Sequence, residues 1–245
     1  MTTRALPLAL LASLIIVVDV GAQFQQIVSL EYARPLERAT RMIEARCDCV
    51  ITYEDPPYDA SQVVDVTSGV RKDGKPEPRV WSPRPSFFSF QYDVTAAKVG
   101  RHEIARNLDM AIAEFNKTRA DGVGFRLAQR LDTFQVIPAQ GSILRTRVGI
   151  GLKQGTAAEV IQGILVEVSR QYAKPIELAG MERLLAKHPV KLSADSGNAD
   201  ELILNIIHSM YAKASWKLLF DYAEQDYVLN ITDASKVPNQ ILHHR

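Results

Sequence analysis

The sequence predicts an α+β protein built of two tandem β-α-β-β-α-β-β modules, in which small mixed sheets pack against amphipathic helices. Three observations carry that prediction. Short runs rich in β-branched and aromatic residues interleave with longer runs of helical period. The same elements come in the same order in both halves of the chain. The composition, 47% hydrophobic and 23% charged over 245 residues with no low-complexity tract, is that of a chain able to bury a core.

The first half opens with the strand-like QIVSLEY (26–32), followed by a helix that Pro35 starts and that carries Leu36, Ala39, Ile43 and Cys47 on one face. VITY (50–53) is a short β-branched run suited to a strand. FFSFQYDV (87–94) alternates, with Phe88, Phe90, Tyr92 and Val94 on one side. A helix with the stripe Ile104, Leu108, Ala111, Ile112 and Phe115 then runs to Asp121-Gly122, and GFRLA (124–128) with TFQVI (133–137) reads as a hairpin.

In the second half VGIGL (148–152) alternates as a strand, and Thr156 with Glu159 forms a capping box that opens a helix with Val160, Ile161, Ile164, Leu165 and Val168 inward. Pro175 stops it before PIELA (175–179), and VKLSA (190–194) resumes the sheet. Asn198 with Glu201 caps a helix whose apolar face is Leu202, Ile203, Ile206, Ile207 and Met210. SWKLLFDY (215–222) and YVLNI (227–231) alternate around the polar turn Ala223 to Asp226. The modules therefore span 23–138 and 139–232, with a frayed tail over 233–245.

The halves differ most in the connection 54–86, expected as a loop insertion in the first module. YEDPPYDASQ is acidic with prolines, and RKDGKPEPRVWSPRPS is basic with prolines and glycine. That composition suits a solvated loop. Read as a docking loop instead, it offers Tyr53, Tyr58 and Trp81 as partner-contact aromatics.

Residues 1–22 have the pattern of a secretory signal peptide: Arg4, an uncharged apolar run from Ala5 to Val18, and Val20-Gly21-Ala22 as a cleavage site. The run is short of the roughly 20 apolar residues that span a bilayer, and no later segment is apolar enough to do so. The expectation is an exported protein, periplasmic or secreted. A formal net charge of +1 argues against nucleic acid as a partner, because phosphate binding needs a concentrated basic surface.

The chemistry-bearing residues are sparse. HExxH, G-x-S-x-G and P-loop patterns are missing from the sequence, and the glycine pairs at 122–125 and 148–152 do not lead into a helix in phosphate-binding geometry. His102, His188, His208, His243 and His244 are scattered, whereas a metal site needs three or four convergent ligands. Glu54, Asp55 and Asp59 are oxygen donors without calcium-loop spacing. Asp200 and Glu201 fit the first turn of a helix, where negative charge is favoured by about 0.3–1 kcal/mol.

Cys47 and Cys49, the only cysteines, allow a redox pair, half a metal site, or two small apolar residues beside a turn. The matching junction of the second half, QYAKPIEL, has no thiol, so the fold does not need the pair. A disulfide between them closes a very tight ring, which an oxidising compartment permits.

VSLEYARPLERATRMIEARCDCVITYE (28–54) resembles the opening of the short N-terminal (STN) domain of secretins and TonB-dependent receptors: a strand, a phrase of the type x-P-L-x-x-A-L, and a strand of the type v-x-y. VKLSADSGNADELILNIIHSMYAKASWKLLFDYAEQDYVLNI (190–231) is similar to that family's second half, a strand, an amphipathic helix and a closing hairpin. The resemblance implies a periplasmic, protein-contacting α/β module. The expected function is thus that of a non-enzymatic envelope protein that binds another envelope protein and uses no cofactor. The alternative is an exported small-ligand binder or hydrolase with its site between the two modules.

Overall fold

A computed structural model describes residues 25–67, 79–93, 100–119, 122–180, 182–210 and 213–234. The expected signal peptide (1–22), residues 68–78 of the long connection, Val94, Asp121 and the tail from 235, with His243 and His244, lie outside the described residues.

In the first half β1 (Gln25–Tyr32) leads into α1 (Pro35–Glu44), whose first position is the proline that needs no N–H partner there. The chain continues through β2 (Val50–Glu54), β3 (Val63–Asp65), β4 (Trp81–Pro83) and β5 (Ser86–Asp93). Then come α2 (Arg101–Thr118), β6 (Phe125–Arg130) and β7 (Thr133–Pro138). β1 and β5 pair antiparallel over their whole length, and their inward residues Val28, Leu30, Phe88 and Phe90 join α1 and α2 in one hydrophobic core.

The second half follows the same plan. β8 (Arg147–Gly149) and β9 (Gln154–Thr156) precede α3 (Ala157–Tyr172), which opens on the capping box, Thr156 Oγ1 accepting from the Glu159 N–H and the Glu159 carboxylate accepting from the Thr156 N–H. β10 (Ile176–Ala179), α4 (Glu182–Leu185), β11 (Pro189–Lys191) and β12 (Ser196–Asn198) lead to α5 (Ala199–Ser209) and the hairpin of β13 (Ala214–Asp221) with β14 (Asp226–Asp233). Two expectations change here. VGIGL is not one strand: the ladder breaks into β9–β11 and β8–β12, bridged by the Ile150 N–H donating to Asp195 O (2.9 Å) and the Leu192 N–H donating to Lys153 O (2.8 Å). Asn198 occupies the N-cap of α5 without a side-chain cap bond; the Glu201 N–H is met instead by Asp200 Oδ1 (2.8 Å).

The architecture is α+β, centred on a six-stranded sheet of order β10-β14-β13-β2-β7-β6. Each half supplies a parallel pair followed by an antiparallel neighbour: β2 with β7 and then β6, β10 with β14 and then β13. The join is the parallel pair β13–β2, Lys217 opposite Tyr53 and Leu218 opposite Glu54. The boundary near residue 138 therefore divides the chain but not the sheet.

The parallel join has a geometric consequence. Both halves keep the same strand order across the sheet, yet their strands run in opposite senses, so the helices of the second half lie on the opposite face from those of the first. The cores agree with this. Ile51, Tyr53, Phe134 and Val136 pack with α1 and α2. Trp216, Leu218, Leu229 and Ile231 pack with α3 and α5.

The segment 54–86 is not wholly solvated in its described parts, 54–67 and 79–86. Tyr58 and Val63 are buried in the second half's core, β3 pairs with β4, and Trp81 packs on that core edge-on to Tyr222, ring centres 5.5 Å apart. A strap from the first half thus covers part of the second.

Candidate functional site

Where β2 ends, its sequence runs into Glu54-Asp55-Pro56-Pro57-Tyr58, and this stretch is the hub of the seam between the halves. β13 continues past β2 to Asp221, so Phe220 needs partners for its backbone groups on that side. The Asp55 N–H donates to Leu218 O (2.8 Å) as the last ladder bond. Two prolines follow and have no N–H to give. Side chains take over: the Phe220 N–H donates to Asp55 Oδ2 (3.2 Å), and Arg34 Nη2 donates to Phe220 O (3.1 Å). Arg34 Nε also donates to Asp55 Oδ2 (2.6 Å), and the Tyr58 hydroxyl to Asp55 Oδ1 (2.8 Å). Burial opposes the charge on Arg34, but Asp55 beside it and the neighbouring Tyr58 outweigh burial and raise its pKa.

Glu54 faces the other way, toward the core of α3 and α5. Only 1% exposed, it accepts the Ile143 N–H through Oε1 (2.8 Å), and the Ser142 side chain lies beside the same carboxyl. Burial pushes its carboxyl up to about 7; Ser142 and the Ile143 amide pull it down, and nearby Asp200 pushes it further up. Asp200, also buried, receives Gln135 Nε2 (3.4 Å) from β7 and lies 3.8 Å from Arg145 Nε. Burial raises its pKa too.

The opposite face of the join is equally polar. Lys217, at the centre of β13 and 2% exposed, sets its ammonium 3.0 Å from Glu37 Oε1 on α1, and Glu37 also holds Arg41. Glu44 accepts the Ile51 N–H (2.8 Å) and the Ser215 hydroxyl (3.3 Å). Burial lowers the pKa of Lys217 and raises that of Glu44; for Glu37 the pull of Lys217 and Arg41 exceeds the effect of burial, and its pKa is lowered.

The Cys47-Asp48-Cys49 turn belongs to the same seam. The two cysteines are joined as a disulfide, with Cα atoms 5.2 Å apart. Lys213, just before β13, donates to Cys47 O (2.9 Å) and approaches Asp48 Oδ1 (3.3 Å).

The aromatics expected to meet a partner are placed otherwise. Tyr53 is 2% exposed and stacks on Phe125, with centroids 5.6 Å apart; Tyr58 is buried on Asp55; Trp81 is half-buried against Tyr222. Tyr53 lies in the first half's core because it faces α1 and α2 from β2, and Tyr58 lies in the second half's core because the chain folds back over it as a strap. Of the three acids weighed as calcium donors, Asp59 closes a turn, accepting the N–H groups of Ser61 (2.7 Å) and Gln62 (3.2 Å). Among the described residues no group of three or more His, Cys, Asp or Glu side chains is placed to hold a metal, and no helix is long and apolar enough to cross a membrane.

Two hollows flank the seam. One, of about 300 Å³, is lined from both halves: Glu54, Asp55, Pro57 and Ile143 face Tyr172, Lys174 and Tyr227. The other, of about 220 Å³, is lined by Arg34, Arg84 and Arg119 over Tyr53 and Phe115. Further out, a shallow groove of about 620 Å³ runs between α2 and the edge strand β6, past Arg101, His102, Asp109 and Gln129.

Residue-by-residue reading did not single out Arg34, Glu37, Arg145 or Lys217. The signal for Lys217 is its place inside the apolar alternation SWKLLFDY, where a charge is either on a solvated face or paired. Comparison with protein-family models, with curated proteins and with solved structures gives no match.

Proposed function

We propose that this is an exported envelope (periplasmic) protein of the STN-like kind, acting as a non-enzymatic module that binds another envelope protein by adding a strand at β6. The observation that carries the reading is that the six-stranded sheet ends at β6, with the groove along α2 beside it. Such an edge offers backbone donors and acceptors to an extended peptide, and a groove supplies selectivity for alternate side chains. Export is supported by the leader pattern at 1–22 and by the Cys47–Cys49 disulfide, a bond suited to oxidising compartments.

The experiment is photo-crosslinking in cells from exposed Gln129 on β6, with exposed Val166 on α3 as control. The reading expects a discrete crosslinked species from position 129 and none from 166. Equal products from both positions, or none from 129, contradict it.

A second reading, a small-ligand binder with its site between the halves, is favoured by the hollow lined from both sides of the seam. Pockets of this kind prefer such junctions.

A further inference from the structure

The outer edge of β6 is closed at both ends by side chains. β6 pairs antiparallel with β7, Phe125 opposite Pro138 and Arg130 opposite Thr133. Pro138 has no N–H to give, and Phe125 turns both backbone groups away from it, to Asn116 on α2. The Phe125 N–H donates to Asn116 Oδ1 (2.8 Å), and its C=O accepts from Asn116 Nδ2 (2.9 Å). Backbone direction alternates along an antiparallel strand, so Leu127 and Gln129 also point theirs outward, while Arg126, Ala128 and Arg130 point theirs to β7. The next outward carbonyl, that of Leu131, is taken by Arg101 Nη2 (2.8 Å). Between these two clamps the outward backbone groups of Leu127 and Gln129 have no partner among the described residues. The groove beside α2 is lined by Leu127, Ala128 and Gln129 together. Their side chains alternate between the faces of the sheet, so only the edge itself brings all three to one hollow.

We infer that this window takes a short extended peptide in which an acidic residue stands between two apolar ones, the apolar pair opposite Leu127 and Gln129 and the acid opposite Ala128. This rests on strand addition at β6 and names its register and peptide class. The acid's side chain emerges on the face away from α2, with Arg126 and Arg130 as its diagonal neighbours. Arg130 is held by Glu201 (3.2 Å) and Arg145 lies 3.8 Å from Asp200, whereas Arg126 is exposed and has no ion-pair partner among the described residues. Burial lowers the pKa of Arg145 against the pull of Asp200, and Arg130 and Arg126 lower it further, so the three guanidiniums share one positive field. On the α2 face the flanking side chains meet Ala105 and Leu127, both packed on the first half's core, which suits apolar residues. Open edges invite unselective pairing, and the clamps at Phe125 and Leu131 confine it to this one short register.

The test is an amide-resolved NMR titration of the full chain with acetyl-Thr-Val-Glu-Val-Thr-amide, the same peptide with lysine at its centre, and the same peptide methylated on both valine nitrogens. The glutamate peptide is expected to shift the Leu127 and Gln129 amides and slow their exchange, and to leave the Phe125 amide unmoved. The lysine peptide is expected to bind about fivefold more weakly, the scale of an exposed charge pair, and the methylated one not to bind. Gln129→Pro removes an outward N–H that bonds nothing in the fold, a change an edge strand tolerates, and is expected to abolish the response. Arg126→Ala, at an exposed position, is expected to keep the shifts and remove the preference for glutamate over lysine. Equal binding of the glutamate and lysine peptides, or a preference that survives Arg126→Ala, overturns the acidic class and leaves strand addition standing. Binding of the methylated peptide, or shifts that reach Phe125, overturns the register. If no peptide binds while position 129 still crosslinks in cells, this inference falls and the envelope-partner reading stands without it.

Discussion

Asp55 uses both carboxylate oxygens on groups from three other places in the chain: Arg34, Tyr58 and the Phe220 amide. Removing it leaves a partly buried guanidinium and a backbone N–H without their acceptor, and this costs about 3 kcal/mol, the low end for a fully buried pair. Asp55→Ala is therefore expected to lose about that much in urea unfolding, with Arg34→Met showing strong non-additivity in a double-mutant cycle. Glu54 contributes with the opposite pH sense. Its folded pKa of about 7 lies above its ordinary 4.5, so the folded chain holds a proton that the unfolded chain gives up. The stability from this group is full below about pH 4.5 and is lost as pH rises through 7, on the order of 3 kcal/mol. Asp200 and Glu44, also raised, add in the same sense, and Glu37, lowered, opposes it. Glu54→Gln is expected to be more stable than the parent at pH 8 and to lose most of the slope between pH 5 and 8. An unchanged slope assigns the titration elsewhere.

Among the elements, the helices and hairpins were legible because their signals are local. The stripe Val160 to Val168, the capping box at Thr156, and the alternation of 215–222 against 227–231 each lie within a few residues of one another. The acidic, proline-containing 54–58 was not legible, since a solvated loop and a strap that buries Asp55 and Tyr58 have the same composition; what separates them is a partner more than 160 residues away. Strand β10 carries its own prediction. Its last residue, Ala179, is followed by Gly180, with φ of +77°, where an added Cβ would strike the Ile231 carbonyl of β14. Gly180→Ala is expected to destabilise by more than about 1 kcal/mol, because both the backbone region and the space are closed to a side chain. Thermal unfolding of that variant checks it.

At the scale of the whole molecule the repeat was legible and its assembly was not. Matching order in the two halves predicts two modules, but the pairing of Lys217 with Tyr53 leaves no periodic trace in either strand. The seam makes each half incomplete: β13 alone would expose Lys217 and Ser215, which the first half covers with Glu37 and Glu44 on α1. A fragment of residues 139–245 is accordingly expected to be far less stable than the same residues in the full chain, and to associate through the uncovered edge of β13. Native-state hydrogen exchange on the full chain tests the shared sheet most directly. The amides of Ile51 and Tyr53 in β2 and of Trp216 and Leu218 in β13 are expected to exchange through one opening of equal free energy, and Asp55→Ala is expected to lower all four together. Separate opening energies for the two strands, or a loss confined to β2, would contradict a single cooperative sheet across the seam.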